Sequence, residues 1–314
     1  MRALLPSVGL CAVLVFSTCV GAATKPQDSV IGLLAAEAQW LPAANKIAAK
    51  LDHENGLRIV PILGVGGVQA FQDLANLPMV DVAVVSSDSL IYAERQDLLQ
   101  GQKDKFNYVA RLAALDVVLV ARRNINNVSG LAGKHIATGP AQSAAFATGE
   151  LLFNAMNISF LRIAKQGEDA IDALNSGQAD AALFLGTELS TAALSDGRFH
   201  VLRLQIPASL SDVYQPAILT SHDLPGLIAG NQNIETFATS LTLAVYDHPR
   251  DAAHVRALKN FQTMIFELSA SDGSGNLAAV VPGWKRHAEA QRILDQTQAK
   301  NLENATITPT GGKP

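Results

Sequence analysis

Apolar runs of strand length alternate with amphipathic stretches of helix length through most of this chain, and that alternation is its strongest constraint. Residues 29–34, 57–63 and 80–85 read as buried strands. Between them, residues 40–51 set Leu41, Ala44, Ile47, Ala48 and Leu51 at helical spacing, and residues 68–77 form a second helical stretch. Ser86-Ser87-Asp88-Ser89 is a cap-like cluster that opens a third helix. A βαβα order implies a mostly parallel sheet with helices on both faces.

A second unit of the same kind follows. Strands are expected at 112–121, 135–138 and 179–185, and helices at 143–156 and 168–174. The two units echo each other: Phe71-Gln72-Asp73-Leu74-Ala75-Asn76-Leu77 leads into Val80-Asp81-Val82-Ala83-Val84-Val85, as Ala170-Ile171-Asp172-Ala173-Leu174-Asn175 leads into Ala179-Asp180-Ala181-Ala182-Leu183-Phe184. Each is an amphipathic helix, a turn, an aspartate and a buried strand. Residues 206–230, rich in Pro, Ser and Gly, read as a long connection. Residues 236–246 read as a strand, and 251–268 and 284–298 as closing helices.

If the strand at 112–121 leaves the first unit, the strand at 236–246 is its natural return. The expected fold class is therefore α/β, with two Rossmann-like α/β domains, a two-strand hinge and a ligand cleft between them. Domain 1 is discontinuous, 24–114 and 244–305, domain 2 is 115–243, and 306–314 is a disordered tail.

The first 23 residues read as a signal peptide. Arg2 gives a positive start, residues 8–20 an apolar run too short to span a bilayer comfortably, and Gly21-Ala22-Ala23 the small residues of a cleavage site. The expected location is periplasmic. Both cysteines, Cys11 and Cys19, lie in that segment, so the exported chain is expected to hold no disulfide. A net charge of −4 and only 5% aromatic residues argue against nucleic-acid binding, which needs a basic field or stacking platforms.

Catalytic signatures are missing from the sequence: there is no HExxH, no GxSxG and no Walker loop. Gly64-Val65-Gly66-Gly67 follows a strand, but Gln69 stands where the third glycine of a dinucleotide loop belongs. The seven histidines are scattered, without metal-ligand spacing. No enzyme activity, cofactor or metal is expected. What recurs is a helix start after a strand end, with small or hydroxyl residues: Gly66, Gly67 and Val68; Ser86, Ser87 and Asp88; Gln142, Ser143 and Ala144. Free N–H groups at helix starts bind a carboxylate or another polar head, although Ser and Asp at such places also serve simply as caps.

In their order and spacing these segments resemble the TAXI-type solute receptors of TRAP transporters, which have the type II periplasmic-binding fold. The resemblance runs from Ser29 to about Glu289. Trp40-Leu41-Pro42 is similar to the aromatic-aromatic-Pro that starts that family's first helix, and Gly66-Gly67-Val68-Gln69-Ala70 to its Gly-Ser-x-x-Asn segment. Asp81 to Asp88 resembles its Asp-x-Gly-x-x-x-x-Asp strand end. Further on, residues 128–136 resemble xxDLxGKxV, Thr138 to Ala144 its Gly-x-x-Gly-Ser-Gly-Thr, Gly177-Gln178-Ala179-Asp180-Ala181 its Gly-x-x-Asp-Ala, and Pro282-Gly283 its late His-Pro-Gly-Ala. The resemblance implies a monomeric receptor that captures a small polar metabolite, of amino-acid or organic-acid class, for TRAP membrane permease subunits. An alternative is a repurposed module that serves a periplasmic enzyme or signalling system.

The departures bear on the ligand. Where the family has a run of glycines, this chain has Leu33-Leu34-Ala35-Ala36-Glu37-Ala38-Gln39, and the Gly-Ser-Gly-Thr site has become Ala141-Gln142-Ser143-Ala144-Ala145. Glutamate and related dicarboxylates are the family's default ligands. Glu37, Trp40 and the Ala/Leu-rich loop suit a neutral, amine-bearing or more apolar ligand better, unless Glu37 points away to solvent. Candidate ligand-binding residues are the three helix starts above together with Glu37, Gln39, Trp40, Gly186 and Thr187.

Overall fold

The computed structural model describes residues 29–186, 189–247, 251–272 and 277–307. The proposed signal peptide with both cysteines, Thr187, and the end of the chain from residue 308 lie outside the described residues.

Ten strands form one sheet with helices against it. In chain order the strands are β1 (Ser29–Ala35), β2 (Leu57–Leu63), β3 (Val82–Ser86), β4 (Phe106–Arg122), β5 (His135–Ala137), β6 (Leu161–Ile163), β7 (Ala181–Leu185), β8 (Phe199–Val201), β9 (Gln215–Leu219) and β10 (Ile234–Tyr246). The helices are α1 (Leu41–Leu51), α2 (Gln69–Asn76), α3 (Ser87–Arg95), α4 (Ala144–Ala155), α5 (Gly167–Ser176), α6 (Ala252–Asp272) and α7 (Ala288–Ile307).

The strand order is β2-β1-β3-β10-β4-β7-β5-β6, with β8 beside β4 and β9 beside β10. Within it lie two copies of one arrangement. In lobe 1, β2, β1 and β3 are parallel and β10 runs antiparallel beside β3. In lobe 2, β6, β5 and β7 are parallel and β4 runs antiparallel beside β7. The long strands β4 and β10 belong to both halves: β4 pairs with β10 up to Asp116 and with β7 from Val117. The expected α/β class, with two lobes joined by two crossing strands, is the observed architecture.

The repeated helix–turn–Asp–strand pieces occupy equivalent places, α2 with β3 and α5 with β7. Their aspartates do the same job in each lobe. Asp81 Oδ2 accepts from the Gly32 N–H at 2.8 Å on β1, and Asp180 Oδ2 accepts from the His135 N–H at 3.0 Å on β5. Each aspartate also donates its own N–H to the carbonyl of that same residue, Gly32 or His135. A carboxylate placed there satisfies a strand's first free donor and sets the register of the central parallel pair.

Two expectations need correction. The closing helix starts at Ala288 rather than 284, because Lys285 to His287 pair with Tyr108 of β4: Tyr108 N–H donates to Lys285 O and His287 N–H to Tyr108 O. Trp284 Nε1 is drawn instead to the Ser87 carbonyl, at 2.8 Å. The connection 206–230 holds a real strand, β9, on the edge of β10.

Candidate functional site

The turns that leave the carboxyl ends of the parallel strands of both lobes meet in one place, the position at which open α/β sheets bind ligands. From lobe 1 come the turn after β1, the turn from β2 into α2, and the start of α3. From lobe 2 comes the turn from β5 into α4.

Glu37 stands at the centre. It follows β1 in extended backbone (φ −135°, ψ 153°), ahead of a short 3-10 turn, Ala38–Trp40. Its side chain is not directed to solvent; the residue is only 4% exposed. Oε1 accepts from the Ala144 N–H of lobe 2 at 2.5 Å, and Oε2 from Gln39 Nε2 at 3.1 Å. The Gly67 N–H, just ahead of α2, lies close enough to the same carboxylate to lower its pKa. Burial raises the Glu37 pKa, and the negative charge of Asp88 adds to the rise; the amides of Ala144 and Gly67 and the Gln39 side chain pull it back.

The lobes touch directly around this carboxylate. Val68 N–H donates to the Gln142 carbonyl at 3.0 Å. A Cβ on Gly66 would lie 2.6 Å from that same oxygen, so glycine there is what lets the two turns meet. Nearby, Tyr92 of α3 packs edge-on against Phe146 of α4, with centroids 5.4 Å apart.

At the start of α3 the side chains are hydrogen-bonded within the protein. Ser87 Oγ bonds Thr239 Oγ1 at 3.0 Å and accepts from the Ser240 N–H, tying α3 to β10. Ser86 Oγ bonds Ser89 Oγ. Asp88 is fully buried, and its Oδ2 accepts from Thr148 Oγ1 of α4 at 2.5 Å and from Tyr214 Oη at 3.0 Å. Burial raises the pKa of Asp88 and, with the neighbouring Asp88 carboxylate, puts that of Tyr214 well above its ordinary value. Ser143 caps its own helix by accepting from the Phe146 N–H. Trp40 packs into the core of lobe 1, 5% exposed. Gln39 and Gly186 line a cavity of about 70 Å³ with Gln166 and Leu185, beside the lobe contact. A larger cavity, about 190 Å³, lies at the amino ends of the lobe 1 strands among Asp81, His254 and His287, away from the facing turns.

The structure thus gathers Glu37, Gly66, Gly67, Val68, Gln142 and Ala144 into one contact, with Asp88 behind it. It leaves Trp40, Ser86 and Ser87 inside lobe 1. Sequence reading missed Thr148, Tyr214 and Thr239. Tyr214 lies in a connection with no periodicity, and nothing local marks it as the partner of a residue 126 positions earlier.

Gly66→Val tests the contact. Gly66 does not need a left-handed backbone, so the new side chain collides chiefly with lobe 2. The variant is expected to fold with lobe 1 intact and to show a larger radius of gyration by small-angle scattering than the wild type. An unchanged radius would mean that the turns do not touch in solution.

No family model matches the chain, and no curated protein sequence is similar to it. Among solved structures it is similar to MatC from Rhodopseudomonas palustris with bound malate, at 19% identity over 86% of this chain and 97% of that one, with a TM-score of 0.49. It is also similar to the periplasmic binding protein BugD, at 14% identity over 88% and 98%, TM-score 0.47. A third is the periplasmic aliphatic sulphonate binding protein SsuA from Escherichia coli, at 17% identity over 91% and 95%, TM-score 0.43. No helix among the described residues is long and apolar enough to cross a membrane.

Proposed function

We propose that this chain is an exported solute-binding protein that closes its two lobes around a small polar metabolite and serves a TRAP-type transporter. The observation that carries this reading is the convergence of strand-end turns from two similarly built lobes, joined by only two crossing strands. Such a hinge allows rigid-body closure, and the cleft beside it is where a ligand is held. The ordered motif resemblance from Ser29 to Glu289 supports the receptor class.

The buried Glu37 carboxylate bears on the solute. It already holds the Ala144 amide, so an acidic solute would have to displace it, whereas an amine would gain a partner in it. The expected ligand is therefore neutral or amine-bearing rather than a dicarboxylate. A second reading, an accessory module for a periplasmic enzyme or sensor, is favoured by one observation: the cavity that Gln39 and Gly186 line beside the contact holds about 70 Å³, below the several hundred Å³ of a metabolite pocket.

A thermal-shift screen of the chain from Thr24 against amino acids, dicarboxylates, amines and small apolar acids tests both. A solute that binds only the folded state at about 100 times its Kd adds about 2.7 kcal/mol. A shift with an amine or neutral solute is the expected result. Glutamate or 2-oxoglutarate as the hit would sink the ligand class, and no hit at all would favour the accessory reading.

A further inference from the structure

We infer that Glu37 is an intramolecular ligand: its carboxylate fills a carboxylate-binding site built by both lobes and fastens the cleft shut with no solute present. The inference rests on the solute-binding reading only in regarding the place as a ligand site; the contact itself is independent of it.

The site is built from both sides. Lobe 2 presents the Ala144 N–H at the first residue of α4, a helix of twelve residues whose amino end favours negative charge. Lobe 1 presents the Gly67 N–H ahead of α2, and Gln39 adds a side-chain amide. Two donors, one from each lobe, thus bond this carboxylate, as they would the acid group of a bound solute. A buried carboxylate is costly unless hydrogen-bonded, and this one is 4% exposed with donors on both oxygens. One of those donors lies 107 positions away on the other lobe. Separating the lobes would break that bond and the Val68–Gln142 bond together.

The backbone of Glu37 shows why this residue reaches. It precedes a 3-10 turn but caps none of that turn's backbone N–H groups; its local partner is the Gln39 side chain, and its other oxygen reaches lobe 2. The Ala36 N–H is pinned to the Val84 carbonyl, which fixes the root of the side chain at the mouth of the cleft. A small side chain at position 37 would leave the same donors open. The vacated site would take a short monocarboxylate such as propionate.

The test compares ligand-free wild type, Glu37→Ala and Glu37→Gln by small-angle scattering and thermal shift, with sodium propionate as probe and sodium chloride as the ionic-strength control. Glu37→Gln keeps an acceptor oxygen and is expected to stay as compact as the wild type. Glu37→Ala is expected to be more open. Propionate should raise its Tm and restore its compactness while leaving the wild type unmoved. A Glu37→Ala protein as compact as the wild type, or one that responds to propionate no more than the wild type does, overturns the inference. Should that variant fail to fold, amide exchange in the ligand-free wild type decides: slow exchange at Ala144 supports the latch and fast exchange overturns it. If no solute shifts the wild type but propionate closes Glu37→Ala, the receptor reading fails and the latch stands.

Discussion

Gly32→Ala is expected to destabilise the chain by about 4 kcal/mol or more, enough to leave little folded protein. Gly32 lies inside β1, where a Cβ would sit 1.7 Å from the Met79 carbonyl oxygen and 2.8 Å from its carbon. No rotamer relieves such an overlap, because both partners are backbone. The turn between α2 and β3 would have to move away from β1, and two bonds would go with it: Gly32 N–H to Asp81 Oδ2, and Asp81 N–H to Gly32 O. These fix the register of the central strands of lobe 1, so the loss does not stay local. In lobe 2 the equivalent position is His135, which makes both bonds to Asp180, so the bonds alone do not demand glycine. What demands it is the close passage of Met79. Gly130→Ala is the control, since its nearest contact would be 3.4 Å from an Ile125 methyl. Thermal unfolding followed by circular dichroism checks the pair, and a Gly32→Ala protein within a few degrees of the wild type would refute the argument.

How much of this was legible in the sequence depended on the range of the interactions. Alternating strand and helix patterns placed β1 to β3, α1 to α5 and β7 within a few residues, because each buries a periodic face. The echo of residues 71–85 in 170–184 is a true equivalence of position, and its aspartates tie equivalent strands. The start of β4 was missed by six residues: Phe106 to Ala110 are buried on both faces, and such a strand shows no alternation. β6 and β8, three residues each, carry too few positions for a period. At the site, glycine and hydroxyl residues marked the helix starts, but composition could not separate those that meet the other lobe from those that cap or anchor. Ser143 caps α4, Ser87 anchors α3 to β10, and only contacts across more than a hundred residues show Glu37 turned inward.

Asp88→Ala is expected to cost about 2–3 kcal/mol, roughly 3–5 °C in Tm for a chain of this size, whereas Asp88→Asn should stay within about 1 kcal/mol of the wild type. The difference lies in what each leaves behind. Thr148 Oγ1 loses little with alanine, since it also donates to the Ala144 carbonyl at 3.0 Å. Tyr214 does lose: it is 2% exposed, and its hydroxyl donates to Asp88 Oδ2. A buried hydroxyl stripped of its acceptor costs most of its desolvation energy. Asparagine keeps an acceptor for both hydroxyls and removes a carboxyl that burial makes hard to ionise. That carboxyl also gives the sign of a pH effect. Its pKa is raised in the folded chain, so the folded state holds the proton more tightly than the unfolded state. Its contribution to stability is complete below the ordinary aspartate value and is lost as pH climbs through the raised one. Asp88→Asn should therefore flatten the decline of Tm with rising pH, leaving the slope that Glu37 supplies by the same mechanism. Equal losses in the two variants would show that the carboxylate charge, not the acceptor, holds α3 of lobe 1 to α4 and Tyr214 of lobe 2.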